Sequence, residues 1–215
     1  MKKIFLVVAL FASAALFCSC GDNLLQGMFE LVSGNATSTV GGEGSEEYTS
    51  SIVMLDEDAP TPFAIGLAMS MEVDDLLNIG SVDDLKFPFM AYRLVGRTLS
   101  SGDKLTVNNY LTNEDLVDFD YKCLLNGKFA DNHMVGIAVS PTKFYVMSTG
   151  TIKLSKVTKT KIVGSYSGRA YVIDTEATPM LSEEQVDMSG EFKSRVTPMM
   201  GWLKNLQEDA LAETK

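Results

Sequence analysis

Residues 63 to 71 read Phe-Ala-Ile-Gly-Leu-Ala-Met-Ser-Met, large and small side chains in unbroken alternation. Successive side chains of a strand point to opposite faces, so this period of two predicts a β-strand. One face carries Phe63, Ile65, Leu67, Met69 and Met71, and the other carries Ala64, Gly66, Ala68 and Ser70. The second face is smooth, and another element can approach it closely.

Further strands are expected at Ser51–Leu55, Phe87–Leu94, Lys104–Asn108, Met134–Val139, Lys143–Ser148 and Thr151–Val157, with a turn at Ser140-Pro141-Thr142. Between Val186 and Val196, Val186, Met188, Phe192 and Val196 face one way, while Asp187, Glu191, Lys193 and Arg195 face the other. That alternation suits a half-buried antiparallel strand. Short helical turns are expected at Val73–Leu77, Val82–Leu85 and Asn113–Phe119. A C-terminal helix follows, with Thr197 as its cap, Pro198 at its first position and a stripe of Met199, Trp202, Leu203, Leu206 and Ala210. Trp202, the single tryptophan, is read as docking that helix on the sheet. The expected fold is mainly β: an antiparallel sandwich or barrel with short helical insertions and a C-terminal helix.

The N-terminus carries an address. Lys2 and Lys3 precede an uncharged run from Ile4 to Phe17. Its fourteen residues rise only about 21 Å as a helix, short of the roughly 30 Å hydrocarbon core, as befits a signal-peptide core. Phe17-Cys18-Ser19-Cys20-Gly21 then resembles a bacterial lipobox, with small Ser19 before the cysteine that is acylated. The resemblance implies residues 1–19 as a signal peptide, lipid on Cys20 and residence in the cell envelope. Gly21 after the cysteine is compatible with sorting to the outer membrane. Residues 20–47 are expected as a flexible acidic tether, since Ser33 to Ser45 offers almost nothing to bury, and residues 48–215 as the β-rich domain. Leu24, Leu25, Met28, Phe29, Leu31 and Val32 form the tether's one apolar cluster.

Removal of the signal takes away two lysines and moves the net charge from −10 to −12. With Cys18 removed and Cys20 lipidated, Cys123 stands alone, so no disulfide forms within the mature chain. No lysine or arginine occurs between Lys3 and Lys86, while thirteen acids lie between Cys20 and Leu85. This distribution argues against nucleic acid as a partner and against electrostatic attachment to anionic lipid. An acidic, self-repelling tether is the simpler account.

Gly150-Thr-Ile-Lys-Leu-Ser155, Ile162-Val-Gly-Ser-Tyr-Ser-Gly168 and Met188-Ser-Gly-Glu-Phe192 together resemble the β-meanders of small Bacteroidota lipoproteins. The resemblance implies strands packed side by side and carries no activity. Chemistry is sparse. His133 is the single histidine, with Cys123 ten residues before it, so nucleophilic triads and zinc sites lack parts. No P-loop or dinucleotide fingerprint occurs, and no cofactor is expected.

Carboxylates are plentiful: Asp56-Glu57-Asp58, the pairs Asp74/Asp75 and Asp83/Asp84, and Glu114, Asp115, Asp118 and Asp120. Oxygen-rich loops can hold calcium, but none has the spacing of an EF-hand. Two readings follow. The first is a membrane-anchored, non-catalytic binding or structural module for a glycan, a small apolar ligand or another envelope protein, with no catalytic or metal residues. The alternative is a glycoside hydrolase using paired carboxylates.

Overall fold

A computed structural model describes residues 34–41, 45–56, 59, 62–96, 98–126 and 132–206. Cys20, the signal segment, the apolar cluster at Leu24–Val32, Glu57, Asp58 and Ala210 lie outside these residues. Ten strands are present: β1 (Asn35–Val40), β2 (Ser45–Tyr48), β3 (Ser50–Asp56), β4 (Phe63–Met69), β5 (Phe89–Val95), β6 (Lys104–Asn108), β7 (Met134–Ala138), β8 (Lys143–Val157), β9 (Lys161–Asp174) and β10 (Val186–Thr197). A short helix, α1 (Val73–Leu77), and three 3₁₀ turns, η1 (Val82–Asp84), η2 (Glu114–Leu116) and η3 (Tyr121–Leu124), decorate them.

The strands close on themselves in the order β3-β4-β5-β7-β8-β9-β10 and back to β3. Every pairing in this ring is antiparallel except β10 with β3, where Arg195, Val196 and Thr197 run parallel to Ile52, Val53 and Met54. The expected all-antiparallel sheet thus gains one parallel seam, and that seam is what closes the barrel. The long strands β8 and β10 each carry a second neighbour on the same edge, β6 and β1 respectively, so β6-β8-β9-β10-β1-β2 forms a broad wing. Sequence reading divides β8 in two; it is one strand bent at a register shift between Met147 and Thr149.

Two corrections concern the ends. The tether expected at 20–47 contains β1 and all but the last residue of β2, and the first strand among the described residues begins at Asn35. Thr37 and Thr39 alternate with Ala36, Ser38 and Val40, and β1 pairs along β10 from Lys193 to Met188. Ala36 is buried, and the Ser38 hydroxyl lies 3.1 Å from the Tyr48 hydroxyl. Small residues have little to bury alone, but a neighbouring strand supplies the burial. Thr197, expected as a helix cap, is instead the last residue of β10, held by pairing with Met54. The helical segment therefore starts later, over 201–206.

Two apolar clusters divide the molecule. In the outer one, Phe63, Ile65, Leu67 and Met69 of β4 are covered by Leu76, Leu116, Leu124 and Leu203 from the helical additions, with Trp202 docked against it as expected. The inner one fills the barrel with Tyr92, Tyr166, Phe192, Met90 and Ile152. The smooth face of β4 is where the rings sit. Gly66 is the cross-strand partner of Tyr92, and a Cβ on Gly66 would lie 1.9 Å from the Tyr92 ring. Gly164 likewise opposes Phe192, whose ring would lie 2.5 Å from an added Cβ. The Tyr92 and Phe192 rings stack at 4.3 Å across the barrel. Two rings are therefore held between two glycines contributed by opposite walls.

The Tyr92 hydroxyl donates to Ser194 Oγ at 2.6 Å, and Ser194 Oγ lies 2.6 Å from Ser51 Oγ, all fully buried. Burial raises the phenols of Tyr92 and Tyr166, and pushes that of Tyr48 up to about 12. A buried hydroxyl stripped of its partner costs about 1–3 kcal/mol. Ser194→Ala should lower unfolding free energy by that amount in urea titrations. Adding Tyr92→Phe should cost less than the two single losses combined, because the unsatisfied group is then gone.

Candidate functional site

The acidic clusters serve local structure. Carboxylates beside free backbone N–H groups cap turns, because a buried or half-buried N–H needs an acceptor. Asp56 accepts from Ala59 N–H at 3.0 Å, Asp84 from Ser81 N–H at 2.9 Å, Asp115 from Thr112 N–H at 2.8 Å and Asp120 from Lys122 N–H at 2.8 Å. Asp74 and Asp75 lie in the first turn of α1, where negative charge suits the helix dipole. Asp83 ties η1 to η3: hydrogen bonds from Lys122 and Tyr121, at 3.2 and 3.0 Å, hold its carboxyl below the usual carboxylate range. Among the described residues, no three His, Cys, Asp or Glu side chains converge as metal ligands would.

Cys123 and His133 have separate surroundings. Cys123 is buried in the outer apolar cluster on η3. His133 precedes β7, and its Nδ1 accepts the Val95 N–H at 3.1 Å at the end of β5. Accepting there requires a neutral ring, and burial holds its pKa below the ordinary histidine value.

Open space lies outside the barrel. A cleft of about 750 Å³ at one end is lined by Leu55, Asp56, Lys159, Val196, Met199 and Lys204. A smaller one of about 260 Å³ shares Leu55, Asp56 and Lys159 and reaches Phe63, Leu99 and Ile162. A third recess, about 340 Å³, lies on the outer face of β8-β9-β10 between Thr151, Lys153, Ser165, Ser167, Ser189 and Glu191. On the opposite face of the same strands Gly150 and Gly168 face each other in register, and a Cβ on Gly168 would lie 2.0 Å from the Thr149 carbonyl oxygen. Hydroxyls flanked by one cation and one carboxylate on a rigid sheet make a surface suited to hydrogen-bonding a polar ligand.

The same face continues into a basic half that sequence reading missed. Directly paired residues of antiparallel strands project to the same side. Register places Arg195 opposite Lys161, Lys153 opposite Lys104, and both Lys193 and Lys156 opposite Val163. Cations from four strands thus meet, although they span residues 104 to 195. The signal present in the sequence is lysine at outward, alternate positions of successive strands; only strand order gathers them.

His133 generates a test of pH dependence. With its folded pKa lowered, the unfolded chain takes up the proton first as pH falls below about 6.5, and stability declines by at most about 1.4 kcal/mol per pH unit. Denaturation midpoints measured from pH 7 to 5 should fall, and His133→Gln should flatten that slope, since this is the single histidine.

The chain matches no family model, no curated protein and no solved structure.

Proposed function

We propose that this protein is an extracytoplasmic lipoprotein, held by acyl chains on Cys20 to a bacterial outer membrane, whose β-domain is a non-catalytic binding or structural module. The observation that carries the reading is the division between a core closed by stacked rings and a rigid outer face built from hydroxyls and cations. A pre-formed sheet face binds without paying to order itself. The engagement of Asp56, Asp84, Asp115 and Asp120 as turn acceptors supports a non-catalytic role over glycoside hydrolysis. The hydroxyl recess favours a polar ligand such as an envelope glycan over an apolar one.

Two or three acyl chains bind a bilayer durably, each buried methylene contributing about 0.8 kcal/mol. Metabolic labelling with a palmitate analogue should tag the full-length protein in the membrane fraction. Cys20→Ala should abolish the label and leave the precursor unprocessed. An unlabelled wild-type protein would end the lipoprotein reading.

A further inference from the structure

We propose that the basic half of the β8-β9-β10 outer face docks on the anionic headgroups of the membrane that holds the anchor, so that the domain lies against the bilayer in a fixed orientation. This inference rests on the lipid anchor proposed above.

Three observations lead to it. First, the cations are arranged at a cost. Arg195 sits directly opposite Lys161, and Lys104 directly opposite Lys153. Like charges so placed repel and destabilise a sheet. Among the described residues the two ion pairs are Lys122–Asp83 and Arg169–Asp187, and neither involves these cations. A chain with 28 acids could have placed carboxylates opposite them. The acids on this face are Glu191, Glu47 of β2, which lies beyond Thr37 from Glu191, and Asp187 at the far end of β10, paired with Arg169. Asp103 at the head of β6 accepts the Ser100 N–H, and Asp56 lies in the end cleft.

Second, the anchor joins the fold at this place. Asn35 opens β1 directly opposite Lys193. The fifteen residues from Cys20 to Asn35 span no more than about 50 Å when fully extended, so a membrane holding Cys20 is always within reach of the patch. Such tethering raises the effective concentration of the surface, and a weak contact then suffices.

Third, the overall negative charge does not forbid the contact. Charges further away than about 8–10 Å are screened at physiological salt, so headgroups respond to the face they meet. Juxtamembrane lysines and arginines are attracted to anionic lipid on that length scale. The sequence argument against such attachment rests on the charge of the chain as a whole, whereas the contact proposed here is made by one face.

The test uses the mature chain, residues 20–215, with Cys20→Ser so that no acyl group contributes. Co-sedimentation with vesicles of phosphatidylcholine containing about one-third phosphatidylglycerol is compared with pure phosphatidylcholine. Binding to the anionic vesicles should be at least tenfold stronger and should fall as salt rises. Lys153→Gln, Lys156→Gln, Lys161→Gln and Lys193→Gln together should remove that preference while leaving the thermal midpoint equal or higher, since repulsion is relieved. Glu191→Lys, a single exposed change, should strengthen anionic binding. Equal binding to both vesicles, or a preference that survives the four substitutions, overturns the proposal. Its failure with palmitate labelling intact removes this inference alone; loss of the label removes the anchor and with it the docking on an anchoring membrane, even where vesicle binding is intact.

Discussion

Two aromatic rings stacked between two glycines span the middle of this barrel, and most of its other features are arranged around them. Tyr92 lies over Gly66 on one wall, Phe192 lies over Gly164 on the other, and the rings meet at 4.3 Å. Glycine opposite an aromatic is a poor strand residue alone, because it adds backbone entropy and no side chain. Here the absent side chain is the space the ring occupies. The same device recurs where Tyr166 lies over Gly190, its cross-strand partner, with its hydroxyl donating to the Thr37 carbonyl. Flat rings on bare backbone let the two walls approach. The parallel seam between β10 and β3 can then close the ring.

A closed barrel leaves two outer surfaces, and the chain treats them differently. The wall formed by β3, β4, β5 and β7 also turns Ile52, Met54, Ile65, Leu67 and Phe89 outward, and α1, the 3₁₀ turns and the C-terminal helical segment cover them. Acids are concentrated in that cover because its turns need carboxylate acceptors. The opposite face, on β8, β9 and β10, has no covering layer among the described residues and displays serine, threonine and lysine. The two faces thus differ in charge, with acids frequent in the cover and lysines frequent on the β8-β9-β10 face.

Strand positions were legible because alternation is a local property. Lys104–Asn108 matches β6 residue for residue, and Val186–Val196 falls one residue short of β10. The smooth face of Phe63–Met71 announced a close neighbour, although nothing local named Tyr92 as that neighbour. What could not be read were properties of pairing. The β1 segment, all small residues, becomes a strand only because β10 offers an edge. Thr197 stays extended only because β3 runs beside it. The basic face exists only because strand order brings Lys104, Lys161 and Arg195 together from distant parts of the sequence. The acidic clusters were visible as clusters, but their engagement in turns depended on backbone geometry.

The ring–glycine clasp is tested most directly by a double-mutant cycle between Gly66 and Tyr92. Unfolding free energies would be measured by urea titration for the wild type, Gly66→Ala, Tyr92→Leu and the double variant. Overpacking against a fixed ring should make Gly66→Ala cost about 3 kcal/mol alone, whereas in the Tyr92→Leu background, with the ring gone, the added methyl should cost less than about 1 kcal/mol. Additive losses, with Gly66→Ala equally costly in both backgrounds, would contradict the account, because the methyl would then be meeting something other than the ring.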